Sequence, residues 1–87
     1  RDCLPWRWFV KYKRFDSVVL VRDRTEWGLR RGDLGAVVEV YEPDGLEVEF
    51  VSASGRTEAL VTLTEDEVRP VADDDLIAVR PFSEESA

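Results

Sequence analysis

Apolar and polar residues alternate at every second position in short stretches of this chain, and a turn signal cuts off each stretch. Leu46-Glu47-Val48-Glu49-Phe50-Val51 is the clearest case, with Leu46, Val48 and Phe50 on one face and Glu47 and Glu49 on the other. That is the period of a half-buried strand; a helix would scatter the same three apolar residues around its circumference. No longer window carries an apolar stripe at helical spacing.

Read this way, the chain divides into strands over Asp16–Arg22, Ala36–Tyr41, Leu46–Val51 and Glu58–Leu63, a short one ending near Pro70, and a last one over Leu76–Arg80. Glu42-Pro43-Asp44-Gly45 and Ser52-Ala53-Ser54-Gly55-Arg56 supply the tight turns of two consecutive hairpins, hence a three-stranded meander. Asp23 to Leu34 is polar and reads as a long loop closed by a turn at Arg31-Gly32-Asp33. Thr64-Glu65-Asp66-Glu67 opens with a capping residue followed by acids, the start of one helical turn. The expected fold is all-β: a small, partly open barrel of five to six short antiparallel strands with one short helical turn.

Eighty-seven residues support one core and no more. Residues 11–81 form the expected domain, 1–10 an N-terminal extension and 82–87 a flexible tail. The chain has no methionine, and Val10 ahead of Lys11-Tyr12-Lys13-Arg14-Phe15-Asp16 reads as a natural opening of the domain. A hydrophobic share of 44% excludes wholesale disorder. No apolar run approaches the ~20 residues that cross a bilayer, so no membrane role is expected.

With no histidine and a single cysteine, Cys3, an internal disulfide and every histidine-dependent catalytic set are excluded. Zinc would have to rest almost wholly on carboxylates, so neither a metal nor another cofactor is expected. Asp73-Asp74-Asp75 lacks the EF-hand pattern and reads as a polar break. Glu47 with Glu49, and Glu65, Asp66 and Glu67, are acidic pairs and clusters of the kind that can do acid–base work when buried; their placement reads as a solvated face, and no catalytic residue is assigned.

Gly32-Asp33-Leu34-Gly35-Ala36-Val37 resembles the Gly-x-x-Gly-x-Val core of the KOW module, and the order of long loop, meander, helical turn and closing strand resembles the SH3-like barrel. A closer likeness runs from Lys11 to about Arg80. Phe15-Asp16-x-Val18-Val19-Leu20, Gly28-Leu29-x-x-Gly32-Asp33-x-Gly35, Val37-Val38-Glu39-Val40-Tyr41, Val48-Glu49-Phe50 and Leu60-Val61-Thr62-Leu63 are similar to a bacterial family of short stand-alone proteins classed as a domain of unknown function. That resemblance implies the SH3-like fold, a bacterial origin and a gene beside that of a partner or toxin-like protein, and it implies no chemistry. Leu46-Glu47 departs from the family's usual Tyr-Glu pair.

The residues that stand out for binding are Arg22, Arg24, Trp27, Arg30 and Arg31, the one loop that combines several cations with a large aromatic, together with Trp6 and Trp8 near the N-terminus. Arginine and tryptophan are the usual anchors of protein interfaces, and they also stack on bases. On a purely structural reading, Trp27 folds over the barrel mouth and the arginines pair with Asp23, Glu26 and Asp33. The net charge of −7 opposes a polyanion, although residues 1–14 carry +4 and residues 64–87 carry −6. The sequence therefore points to a cytoplasmic protein-binding module with a basic or toxin-like partner, as an antitoxin would have. A KOW-like nucleic-acid binder is the alternative, and self-association through Leu76 to Val79 stays open.

Overall fold

The computed structural model describes residues 11–82. Five strands form a single antiparallel sheet: β1 (Ser17–Leu20), β2 (Leu34–Tyr41), β3 (Gly45–Val51), β4 (Thr57–Thr64) and β5 (Val68–Pro70). Their order across the sheet is β4-β3-β2-β1-β5. β2, β3 and β4 make the expected meander, and β5 returns to pair with β1, so β4 and β5 are the two edges of a partly open barrel. The only helical elements among the described residues are 3-10 turns at Thr25–Trp27 and Glu65–Glu67. Among those residues no helix is long and apolar enough to cross a membrane.

The alternation read from sequence is what builds the core. Leu46, Val48 and Phe50 of β3 point inward beside Val61 and Leu63 of β4, Val37 of β2, Val18 and Leu20 of β1 and Val68 of β5. Tyr12 and Leu29 join them from the flanking segments. Fully burying an aliphatic side chain contributes about 1.5–3 kcal/mol, so these residues carry most of the folding free energy. The register between β2 and β3 shifts at Val37/Glu39. This bulge sets Val37 opposite Val48, then Glu39 opposite Glu47, then Val40 opposite Leu46. Strict alternation would have put Glu39 on the same face as Val37; the extra residue turns the carboxylate outward and returns Val40 to the core.

Two expectations fail. Leu76–Arg80 forms no strand. β1 already has neighbours on both sides, and Pro70 has no N–H to extend the outer edge of β5. Ion pairs at Asp75 and Arg80 then hold the segment away from the sheet. Phe82, assigned to a flexible tail, instead packs against the core cluster, its ring lying beside Gly28. The extension 1–10 and the remaining tail residues lie outside the described residues.

The turn before β1 is strained. Asp16 N–H donates to Lys13 O at 3.1 Å, and Phe15 N–H donates to Val37 O at 2.6 Å. These bonds hold Phe15 at φ 76°, the left-handed region, with 77% of the residue exposed. A side chain with a Cβ loses about 1–2 kcal/mol there. Phe15→Gly is expected to raise the free energy of unfolding by about 0.5–1 kcal/mol after glycine's own entropic cost. Urea titration checks this, and a loss of stability would show that the ring makes a contact worth more than the strain.

Candidate functional site

The loop between β1 and β2 carries the arginine–tryptophan set, and its base is closed by the main chain. Leu20 N–H donates to Asp33 O at 2.9 Å and Gly32 N–H to Leu20 O at 2.7 Å. Within the loop, Arg24 and Leu29 exchange main-chain hydrogen bonds of 3.0 and 3.1 Å across a single 3-10 turn. Gly28 ends that turn at φ 74°, a conformation that favours glycine. The exchange drops Leu29 into the core, where it is 1% exposed, and leaves Trp27 half-buried against the same cluster.

Arg24 lies over the Trp27 ring, its guanidinium carbon 4.3 Å from the ring centroid. Two carboxylates hold it there. Glu26 Oε2 accepts from Nε at 3.1 Å and from Nη2 at 2.8 Å. Glu67 Oε2 accepts from Nη1 at 2.5 Å. Hydrogen bonding to Glu26 raises the arginine's pKa, with Glu67 adding to the effect. The Glu26 carboxyl is lowered, first by its own main-chain N–H and then by Arg24.

Glu67 corrects the reading of Glu65, Asp66 and Glu67 as a solvated cluster. It is 8% exposed. Its other oxygen accepts the Thr64 N–H at 3.1 Å, completing a capping box around the second 3-10 turn, and its main-chain oxygen accepts the Val21 N–H at 2.9 Å. One side chain thus joins the β4–β5 turn to the arginine loop. A legible signal was present: Thr64-x-x-Glu67 is the spacing at which a glutamate folds back on its own cap.

The remaining arginines differ in role. Arg22 is 62% exposed at its side chain and lies 3.9 Å from Glu67, while Arg30 and Arg31 are exposed. Asp23 and Asp33 serve this loop through the main chain, accepting the Arg31 N–H and the Arg30 N–H, each at 2.8 Å. The guanidinium on Asp33 comes from far along the chain. Arg80 donates to Asp33 Oδ1 at 3.0 Å, to Oδ2 at 2.7 Å and to Gly28 O at 2.9 Å. Nothing in the local sequence marks Arg80 as part of this corner. Trp6 and Trp8 lie outside the described residues, so the structure groups Arg22, Arg24, Trp27, Arg30 and Arg31 alone.

The outer face of the meander is acidic. Glu39 is exposed, Glu47 and Glu49 are half-buried, and Glu39 and Glu47 stand directly opposite each other. Tyr41 donates its hydroxyl to Glu47 at 2.6 Å, which raises the tyrosine pKa, and Thr57 donates its own to Glu49. Arg14 lies 4.0 Å from Glu39. These carboxylates belong to a hydrogen-bonded sheet surface, and among the described residues no three acidic or cysteine side chains converge into a metal-binding set.

The family model for a domain of unknown function, DUF4926, matches residues 14–70, more than half of the chain. The chain belongs to the DUF4926 family. No curated protein and no solved structure matches it. The DUF4926 match covers all five strands and the whole arginine loop, including Glu67. Arg80 and Phe82, which buttress the loop from behind, fall outside the matched residues.

Proposed function

We propose that this DUF4926 domain is a non-catalytic protein-binding module whose contact surface is the corner built by Arg22, Arg24, Trp27, Arg30 and Arg31. The observation that carries this reading is the Arg24–Trp27 stack. Glu26 and Glu67 clamp the guanidinium, so the half-buried indole beneath it is held in one orientation before any partner arrives. A rigid aromatic stacked with one arginine, in a loop that carries three more, has the composition of an interface hot spot, and preorganisation lowers the entropic cost of docking.

The rest of the surface bears on the partner's charge. The net charge of −7 and the acidic outer sheet draw in a basic protein and speed its encounter, while Arg22, Arg30 and Arg31 can take bidentate contacts from carboxylates at the point of docking. A bacterial cytoplasmic setting, with the partner a basic, toxin-like product of an adjacent gene, fits this division between steering and anchoring.

The same corner supports a second reading, nucleic-acid binding by exposed arginines beside an aromatic. Two features weigh against it: Arg24 is already neutralised by two carboxylates, and the whole chain repels a polyanion. Co-expression with the product of the neighbouring gene tests the first reading. A stoichiometric complex is expected, with the Trp27→Ala, Arg30→Ala variant weakening it by about tenfold or more. A complex indifferent to that variant would place the interface elsewhere. A shift of labelled RNA at low salt that fades steeply as salt rises would favour the nucleic-acid reading instead.

A further inference from the structure

We infer that residues 83–87 are an internal competitor for the arginine corner, with Glu84 and Glu85 pairing with Arg22, Arg30 and Arg31 until a partner displaces them. Such regulation rests on that corner being the partner's contact surface.

The fold delivers this segment to the corner. Arg80 donates to both carboxylate oxygens of Asp33 and to the Gly28 carbonyl, and the same Asp33 carboxylate accepts the Arg30 N–H. Arg80 Nη1 also donates to the Pro81 carbonyl at 3.1 Å, and Phe82 follows with its ring packed beside Gly28, the neighbour of Trp27. The described residues therefore end against the loop that carries the arginines. Ser83-Glu84-Glu85-Ser86-Ala87 comes next, its acids two and three places beyond Phe82. An extended chain spans at most about 3.6 Å per residue, so Glu84 and Glu85 start within about 7 and 11 Å of Phe82. Arg31 belongs to the turn Arg30–Asp33 that Arg80 grips, closed by a 3.0 Å bond from the Asp33 N–H to Arg30 O.

The corner has cations to offer. Glu26 and Glu67 are engaged by Arg24, and Asp33 by Arg80. Arg22 is left 3.9 Å from an oxygen that Arg24 already holds at 2.5 Å. Arg31 makes no side-chain ion pair among the described residues, and both side chains belong to exposed residues. Asp23 accepts the Arg31 N–H at 2.8 Å, which draws Arg31 to the residue that follows Arg22. Guanidinium groups take carboxylates in bidentate contacts, so two adjacent glutamates suit this pair of arginines. An exposed ion pair adds little by itself. The covalent tether shifts the balance, because a segment held by Phe82 meets the arginines at an effective concentration on the order of millimolar. The result is a partial cover, firm enough to compete with a partner and weak enough to yield to one.

Heteronuclear NMR of the whole chain tests the docking. Glu84→Gln, Glu85→Gln should move the Nε–H resonances of Arg22 and Arg31. Asp73→Asn, Asp74→Asn, an equal loss of charge at exposed residues elsewhere, should leave them in place. The complex with the product of the neighbouring gene should tighten by about threefold to tenfold in the glutamine variant, since the segment no longer lowers the binding-competent fraction. Arginine resonances that the glutamine variant does not move overturn the docking, and they leave the corner's role toward a partner standing. Resonances that move while partner affinity stays constant overturn the competition when Trp27→Ala, Arg30→Ala still weakens the complex. If that pair leaves the complex unchanged as well, the corner fails as the partner's site and the docking of residues 83–87 stands.

Discussion

Glu67→Ala is expected to lower the free energy of unfolding by about 3 kcal/mol, an unusual loss for one acidic residue of a protein with a net charge of −7. The side chain serves two partners. Removing it returns the Thr64 N–H to the unsatisfied state, worth about 1 kcal/mol for a lost cap. It also strips a charged hydrogen bond from Arg24, whose side chain is only 23% exposed, worth about 1.5–3 kcal/mol. Glu26 remains on that guanidinium, which holds the total near the lower end of the range for breaking a buried ion pair. Glu67→Gln keeps an acceptor for the cap but loses the charge, and should fall between the parent and the alanine variant. Arg24→Met on top of Glu67→Ala should cost less than the sum of the two single changes, because the stranded cation is gone. Urea unfolding of the parent, the three single variants and the double variant checks the set. A loss below about 1 kcal/mol for Glu67→Ala would mean that water replaces the carboxylate and that the clamp on the Trp27 stack is loose.

Gly35→Ala is expected to cost about 2–3 kcal/mol, although alanine suits a strand better than glycine does. Gly35 is the second residue of β2, paired with Val18 of β1 and turned toward the core. A Cβ built on it would lie 2.6 Å from Val48 Cγ1, 2.9 Å from Phe50 Cε2 and 3.1 Å from Glu49 O. Carbon atoms in good contact stand at about 3.5–4.0 Å, so Val48 and the Phe50 ring would both have to retreat from a filled core, and the Glu49 carbonyl is main chain that cannot rotate away. Val48→Ala in the Gly35→Ala background should recover part of the loss by vacating the contested space. Calorimetric midpoints decide this, and a neutral Gly35→Ala would mean that β2 can slide outward without disturbing the barrel. The glycine spacing that resembles a KOW core thus has a packing reason at Gly35, whereas Gly28 and Gly32 take the positive φ expected of loop glycines.

Much of the scaffold was legible because strand alternation is local. Leu46 to Val51 alternates cleanly and becomes β3, while β4 extends the expected Glu58–Leu63 by one residue at each end. β1 is shorter than Asp16–Arg22 because the chain leaves β2 and β5 at Val21 to begin the arginine loop. The candidate corner was legible only in its nearest members. Arg24, Trp27 and Glu26 lie within one 3-10 turn, and their proximity follows from spacing. Glu67 and Arg80 reach the same corner across separations of 43 and 47 residues, to Arg24 and Asp33 respectively, and no local pattern announces a pairing of that range.

Leu76 to Arg80 marks the limit of such reading. Its composition suits a strand, but a strand needs a neighbour to pair with, and among the described residues it pairs with none. Composition reports what a segment prefers to bury and is silent on what is left to bury it against.

The amino-acid order alone determined an all-β chain with a meander, a capped turn before β5 and no histidine chemistry, because side-chain period, turn residues and residue inventory act over a few neighbours. Tertiary structure alone decided which way Glu39 faces, which acid is buried and which arginine is spent on holding a tryptophan. Each of those outcomes depends on a contact between strands or loops distant in sequence: the bulge at Val37/Glu39 is defined only against β3, and the burial of Glu67 only against Arg24. A charge stays out of water only when its counter-charge is brought to it, and that meeting is a property of the folded chain.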